Sequence, residues 1–170
     1  MLIIMEEARN QNERGIVLII REAETKDIEA LCALFEALNQ IHIDGRPDIF
    51  AEGENPYSEK HVKKLLKDRN KRITVAENDG ELIGLCSFTL NGNAYQTRKR
   101  QIFLDAMFVL PQYRRQGVAK ALFESLQSFA QKESYEKIDL AVWSFNREAQ
   151  RFYEALGFTE QRKILEMEIK

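Results

Sequence analysis

The chain has 170 residues, 44% apolar and 31% charged, a composition that fits one globular domain and excludes a disordered or membrane-embedded chain. Its 25 basic and 27 acidic side chains leave a net charge of −2, without the basic surplus of a dedicated nucleic-acid binder. Eight Gly and three Pro leave no room for collagen-like or linker-rich stretches.

Cys32 and Cys86 lie far apart in apolar surroundings, so they read as two reduced buried thiols of a cytoplasmic protein, not a disulfide framework or zinc site. Two histidines, His42 and His61, leave little scope for a metal centre or a Ser–His–Asp triad. No apolar stretch spans a bilayer, and Met1–Met5 lacks the basic start and apolar region of a signal peptide.

In chain order, residues 1–15 read as an N-terminal extension, because Glu6–Gly15 is polar and aperiodic. A sharper expectation puts the natural start near Val17 or Leu18. A strand begins at Ile16–Arg21. Thr25 then caps a helix with Ile28, Leu31, Leu34, Phe35 and Leu38 on one stripe. Residues 39–57 read as loop, with Gly45, Pro47, Gly53 and Pro56 as breakers. Ser58 caps a second helix running to about Arg69. Ile73–Glu77 and Glu81–Leu90 form a hairpin across Asn78-Asp79-Gly80. Gln101–Leu110 is a strand, Gly117–Lys132 a helix, Lys137–Val142 a strand, Asn146–Leu156 a helix, and Arg162–Ile169 a final alternating strand. This order describes an α/β domain over residues 16–170, a mixed sheet with helices on both faces.

Two segments carry chemistry. In Pro111–Leu122 a strand ends, a short turn follows, and a helix opens at Gly117. Glycine permits a tight turn and close backbone approach, and the first helical amides point outward at the positive end of the dipole. With Arg114, Arg115 and Lys120 nearby, such an end suits a pyrophosphate. The segment fits neither a dinucleotide fingerprint nor a Walker loop. In Trp143–Phe158, Asn146 caps a helix, Tyr153 lies about two turns later on nearly the same face, and Gly157 fits the C-terminal cap. Alone, the first segment reads also as a simple turn and the second as a capped helix with an aromatic core stripe.

Together they resemble the GNAT superfamily of acyl-CoA-dependent N-acetyltransferases. Arg114-x-x-Gly117-x-Ala119 resembles the family's pyrophosphate loop, and Asn146-x-x-Ala149-x-x-Phe152-Tyr153-x-x-x-Gly157-Phe158 its second cofactor motif. The resemblance implies a mostly antiparallel central sheet whose strands at 101–110 and 137–142 are parallel and splay apart at the cofactor cleft. It implies acetyl-CoA as co-substrate, its pyrophosphate held by Arg114, Arg115, Gln116, Gly117, Val118, Ala119 and Lys120. Its pantetheine would pair with the main chain of Met107 and Val109 and touch Asn146 and Tyr153. An amide near Met107 or Phe108 would polarise the acetyl carbonyl, and Arg151 is either a contact to the adenosine 3′-phosphate or solvated surface.

The implied reaction is direct attack by a primary amine of a small molecule, a peptide N-terminus or a lysine. Tyr153 matches the family's acid. Asp105 stands where the family often has its base, and equally suits a structural or substrate-orienting role. On the acceptor side His42 and Asp48 are candidates beside Asp105, as are Asn39, Asp44 and Phe50; His42 reads equally as a loop or core residue, Asp48 as solvated. The basic run Lys60–Arg72 reads as the outer face of a helix and its following loop, and Arg98-Lys99-Arg100 as a surface cluster. Neither implies nucleic acid, and nothing implies a membrane or a bound metal. The resemblance also allows a homodimer through the final strand. The alternative function is a non-catalytic acyl-CoA-binding or regulatory module.

Overall fold

In a computed structural model of the chain, residues 8–11, 17–50, 56–91 and 100–169 are described. Six strands follow one another in spatial order: β1 (Ala8–Gln11), β2 (Val17–Glu22), β3 (Lys71–Asn78), β4 (Glu81–Leu90), β5 (Gln101–Val109) and β6 (Lys137–Leu140). Neighbours are antiparallel except β5 and β6, which are parallel. The helices are α1 (Ile28–Gly45), α2 (Glu59–Lys67), α3 (Val118–Lys132) and α4 (Arg147–Ala155).

The β3–β4 connection is the turn expected from Asn-Asp-Gly. Asp79 and Gly80 both have positive φ, 49° and 82°, the geometry that matches the twist of a two-residue hairpin. Ser58 caps α2 as expected, its Oγ accepting from the His61 amide at 3.4 Å. The two sheet faces carry separate cores. Against α1 and α2 lie Ile73, Val75, Leu85 and Phe108, with Leu31, Leu34, Phe35 and Val62 packed on them. Against α3 lie Ile20, Cys86, Phe88, Ile102 and Leu104, with Val118, Leu122, Leu126 and Phe129. The alternation of side chains along each strand divides the two sets.

A buried ion cluster fixes the entry to α1. Arg21 donates to both carboxylate oxygens of Asp27, at 2.7 and 2.9 Å, and to Glu77 at 2.8 Å. Glu24 and Asp27 form a capping box around the 3₁₀ turn Thr25–Asp27, so Thr25 opens that turn instead of capping the helix.

Other expectations are corrected as well. Helix α1 runs to Gly45, not Leu38, because Ile41 and Ile43 continue its inward stripe. Gly45 and Pro47 therefore end a helix instead of opening a loop, and residues 51–55 of the expected loop lie outside the described residues. Lys71 and Arg72, read as part of a helix face and loop, begin strand β3. The final strand is absent: residues 158–169 carry no helix or strand, and β6 ends at Leu140. Within the expected extension, Ala8–Gln11 pairs with β2, while residues 1–7 and 12–16 lie outside the described residues. Of the surface cluster 98–100, only Arg100 is described; its guanidinium sits 4.3 Å from the Tyr135 ring centroid and donates to the Glu133 carbonyl.

Candidate active site

The sheet forks between β5 and β6. Their parallel pairing runs from Gln101 with Lys137 to Leu104 with Leu140 and stops, while β5 continues to Val109. At the point of divergence β5 bulges. Ser87 pairs with Ala106 and Phe88 with Leu104, so Asp105 has no partner across β4. A bulge adds one unpaired residue and re-aims its side chain.

Beyond the fork, the Leu110 amide donates to the Ile83 carbonyl of β4 at 2.9 Å. Hydrogen-bonded pairs alternate along an antiparallel ladder. Residues 108 and 110 therefore turn their main chain toward β4, and Met107 and Val109 turn theirs into the cleft. The Val109 carbonyl already accepts from Arg114 Nε at 3.1 Å, from that same side.

Across the cleft mouth, α3 opens at Gly117, whose φ is 84°, next to Arg115 with φ 59°. Apart from its own chain neighbours, no atom lies within 4 Å of where a Gly117 Cβ would stand, so its backbone faces open space. The first-turn amides of Val118, Ala119 and Lys120 have no partners within the helix. The Val118 side chain is buried in the core, leaving only its main chain for a ligand. This open nest of amides fits a pyrophosphate.

On the α1–α2 face, Asp105 Oδ2 accepts from Thr89 Oγ1 at 2.6 Å and from Lys71 Nζ at 3.0 Å; Lys71 also donates to Thr89 at 2.6 Å. Tyr57 lies nearby, stacked on Phe35 with ring centroids 4.6 Å apart. Burial pushes the Tyr57 phenol above its ordinary value, and the Asp105 carboxylate adds to the shift. On the opposite face, Tyr153 packs on the α3 core between Phe152 and Phe158. Burial is the main cause that holds its phenol well above the ordinary range, with Cys86 adding to it. The Cys86 thiol is itself pushed up to about 12 by complete burial.

The sequence model of the Acetyltransferase (GNAT) family matches residues 34–158. The chain belongs to that family. Among similar proteins, the uncharacterized N-acetyltransferase YhfO of Bacillus subtilis is 27% identical over 83% of this chain and 89% of its own. Mouse thialysine N-epsilon-acetyltransferase is 28% identical over 90% of this chain and 82% of its own. Human N-acetyltransferase 8 is 29% identical, but the matched part spans only 42% of its length. Among solved structures, the tetramutant of the BH1408 protein from Bacillus halodurans superposes with a TM-score of 0.82 at 22% identity, over 89% of this chain and 99% of that one. Aminoglycoside N-acetyltransferase AAC(6')-Iy in complex with CoA superposes at 0.70 and 21% identity, over 93% of this chain and 98% of that one. The fold is therefore the GNAT fold, its splayed strands being β5 and β6.

The structure of this GNAT domain distributes the residues singled out by sequence unevenly. Gly117, Ala119 and Lys120 stand at the open α3 terminus, and Arg115 is exposed beside it. Lys120 reaches Glu124 at 3.7 Å. Arg114 turns inward: besides Val109 it faces Glu148 at 3.8 Å and the Phe108 ring at 5.8 Å, so it braces β5 against the start of α4. Gln116 donates to the Gln112 carbonyl at 2.8 Å and shapes the turn. Asn146 Oδ1 caps α4 by accepting from the Ala149 amide at 3.1 Å. Arg151 donates to the Arg147 carbonyl at 3.2 Å.

On the acceptor side, His42 lies on α1 and stacks on Phe50, centroids 5.3 Å apart. Burial pulls its imidazole below the ordinary value, which keeps it neutral near pH 7. Asp48 is gripped by both arms of Arg46, at 2.8 and 2.6 Å, and that guanidinium holds its carboxyl below the usual range. Asp44 accepts from Gln40 at 2.8 Å. Asp48 and Asp44 are thus tied to neighbours on or just after α1. Sequence reasoning missed Lys71, Thr89 and Tyr57 around Asp105. It also missed Arg46 and Trp143, whose guanidinium and ring stand 5.5 Å apart, with Phe50 edge-on to Trp143 at 5.7 Å. Among the described residues no cluster of three metal-ligating side chains occurs, and no helix is long and apolar enough to cross a membrane.

Proposed function

We propose that this GNAT domain, spanning residues 16–170, transfers an acetyl group from acetyl-CoA to a primary amine by direct attack. The observation that carries this reading is the fork. One carboxylate, Asp105, stands at its apex on the α1–α2 face, and one phenol, Tyr153, stands on the other face.

The α3 amides from Val118 to Lys120 hold the pyrophosphate, with Arg115 and Lys120 supplying positive charge. The cleft-facing main chain of Met107 and Val109 pairs with the amides of the pantetheine arm, as one strand pairs with another. Of the two amides expected there, that of Phe108 turns toward β4, so the Met107 amide faces the thioester oxygen and stabilises the negative charge that develops there. The acceptor arrives from the α1–α2 face as an ammonium ion. Asp105 takes its proton through an intervening water. The freed amine nitrogen forms a bond to the carbonyl carbon, the carbon–sulfur bond breaks, and Tyr153 gives its phenolic proton to the departing thiolate; the surplus proton on the new amide nitrogen leaves to water, and the phenolate takes a proton back from water. Its raised pKa suits a group that must arrive protonated.

The acceptor is a small amine, as the names of the thialysine and aminoglycoside N-acetyltransferases among its relatives suggest, with a lysine side chain or peptide N-terminus as the wider class. Two unpaired cysteines support a reducing, cytoplasmic setting.

The test measures CoA release from acetyl-CoA over a panel of polyamines, amino acids, aminoglycosides and short peptides, with acetyl-CoA affinity measured in parallel. Tyr153→Phe is expected to lower kcat by about 10²–10⁴-fold while acetyl-CoA affinity is kept. Full activity of Tyr153→Phe removes the acid role. Tight acetyl-CoA binding without turnover on any amine favours the binding-module reading, which the engagement of Asp105 by Lys71 supports.

A further inference from the structure

Arg46, the residue after α1, carries a guanidinium that is held in place before any ligand arrives. Its amide donates to the His42 carbonyl at 2.8 Å, and its carbonyl accepts from the Ile49 and Phe50 amides, both at 3.0 Å. The guanidinium lies 5.5 Å from the Trp143 ring centroid, and the side chain is only 20% exposed. Asp48 takes one edge of the guanidinium, accepting from Nε at 2.8 Å and from Nη2 at 2.6 Å. An arginine stacked and paired in this way has already given up its rotamer freedom, so a ligand does not have to order it.

The other edge presents two parallel N–H donors, the geometry that matches a carboxylate. Glu166 fills it: Nη1 donates to Oε1 and Nη2 to Oε2, both at 2.9 Å, from 120 residues away in sequence. The segment that brings Glu166 there, residues 158–169, has no regular structure. Glu166 is 70% exposed, and its neighbours Leu165 and Met167 are 88% and 80% exposed, so packing does not hold it. An ion pair to so exposed a partner is weak, and its carboxylate is exchangeable. The seat adjoins the cleft. Trp143 comes three residues after Leu140, and Met107 three residues after Leu104, the last pair before β5 and β6 diverge. From Trp143 the rings of Phe50 and His42 continue back to α1, with centroids 5.7 and 5.3 Å apart.

We propose, resting on the amine-transfer reading above, that the acceptor is an aliphatic amino acid whose carboxylate displaces Glu166 from Arg46 while its terminal amine reaches the thioester. Asp48, expected from sequence to contact the acceptor, instead holds Arg46 toward it. Glu166 is the chain's own carboxylate in the acceptor's place, and it keeps the guanidinium paired when no acceptor is bound. Binding swaps one carboxylate for another, so neither state leaves an edge of Arg46 bare. An amine without a carboxylate gains nothing from the swap and meets a cation of its own sign.

Acceptors that differ by one carboxylate test this on the full chain: lysine against cadaverine, ornithine against putrescine, and 6-aminohexanoate against pentylamine. CoA release from acetyl-CoA gives kcat/KM, and calorimetry with CoA present gives affinity without turnover. In the pair whose length fits, the carboxylate member is expected to be favoured by about tenfold or more in both, as a hydrogen bond to a charged group is. Arg46→Lys keeps the charge but not the paired donors, and is expected to bring that ratio close to one. Glu166→Gln removes the internal competitor from an exposed segment, and is expected to raise kcat/KM for the carboxylate member about two- to fivefold, the worth of an exposed ion pair. Equal use of both members of every pair, or a preference that survives Arg46→Lys, overturns the proposal and leaves the transfer reading standing. Carboxylate-dependent binding that Arg46→Lys abolishes, with no turnover of any amine, keeps the carboxylate seat and overturns the transfer reading. Absence of binding by every member overturns the proposal, and an unchanged kcat/KM in Glu166→Gln overturns the displacement. The paired comparison on the native chain needs no variant and stands even where Arg46→Lys misfolds.

Discussion

Lys71, the first residue of β3, donates to the carboxylate of Asp105, the bulged residue of β5, at 3.0 Å, and Thr89 of β4 joins the two. Three strands thus converge on one carboxylate oxygen at the apex of the fork. In the proposed reaction it is the other oxygen of Asp105 that meets the water or ammonium. Asp105→Asn is expected to lower kcat by about 10²-fold or more, as loss of a general base does. Lys71→Met is expected to lower it less, and the double variant less than the product of the two. Steady-state kinetics of the four proteins give the coupling, of order 0.5–3 kcal/mol for side chains in contact. Strict additivity would mean that Lys71 does not act through Asp105.

Gly117 is required for its backbone. At φ 84° an L side chain is strained, although the space above it is open. Gly117→Ala is expected to cost about 1–2 kcal/mol of stability or to shift the turn and weaken acetyl-CoA. Calorimetry should find lower affinity for acetyl-CoA with kcat at saturation little changed, because the residue is remote from the proton transfers.

The Arg21–Asp27 pair is buried, with side chains 10% and 6% exposed. Burial pushes the Asp27 carboxyl up, but the Arg21 guanidinium and the Glu24 amide outweigh it and hold it below the ordinary value. The lowered value means the stabilisation is complete above the unfolded carboxylate pKa, about 4. It is lost as pH falls through the folded value. Asp27→Asn is expected to destabilise by about 3 kcal/mol, since it leaves a buried guanidinium short of its partner. Denaturant midpoints against pH check both the cost and the lost acid dependence.

Cys86 gives the opposite sign. Its thiol, raised from 9.0 to about 12 by burial, favours the neutral form in the fold. That contribution is complete below about pH 9 and is lost as pH rises toward 12. Cys86→Ala is expected to flatten the alkaline decline of the unfolding midpoint, leaving the part due to Tyr153 at still higher pH.

How much of this was legible in the sequence depended on whether the cause was local. The Asn78-Asp79-Gly80 turn, the Ser58 and Asn146 caps and the Gly117 junction depend on a few adjacent residues, and all stand where expected. The tail alternates like a strand, but a strand also needs a partner edge, which alternation cannot supply. Gly45 is the last residue of α1, and the Phe145 ring fills the space a Cβ would need there, a contact 100 residues away in sequence that local reading does not supply. The basic run ending at Arg72 hid Lys71, since charge density does not separate a helix face from a strand facing a carboxylate 34 residues later. Nothing in Asp105 itself announced a bulge; that follows from how three strands register.

The cleft-facing backbone of Met107 and Val109 has a consequence for how the domain changes over time. In the proposed reaction donor capture there rests on main-chain groups, so what constrains the side chains at 107 and 109 is their packing against the α3 core and not the donor. The proposed acceptor face, by contrast, is made of side chains: Lys71, Thr89, Asp105, Tyr57 and the His42–Phe50–Trp143 ring cluster. Under the proposed reaction, substitutions on that face are expected to retune which amine enters without disturbing the thioester's seat, so one inherited donor site can serve a succession of acceptors.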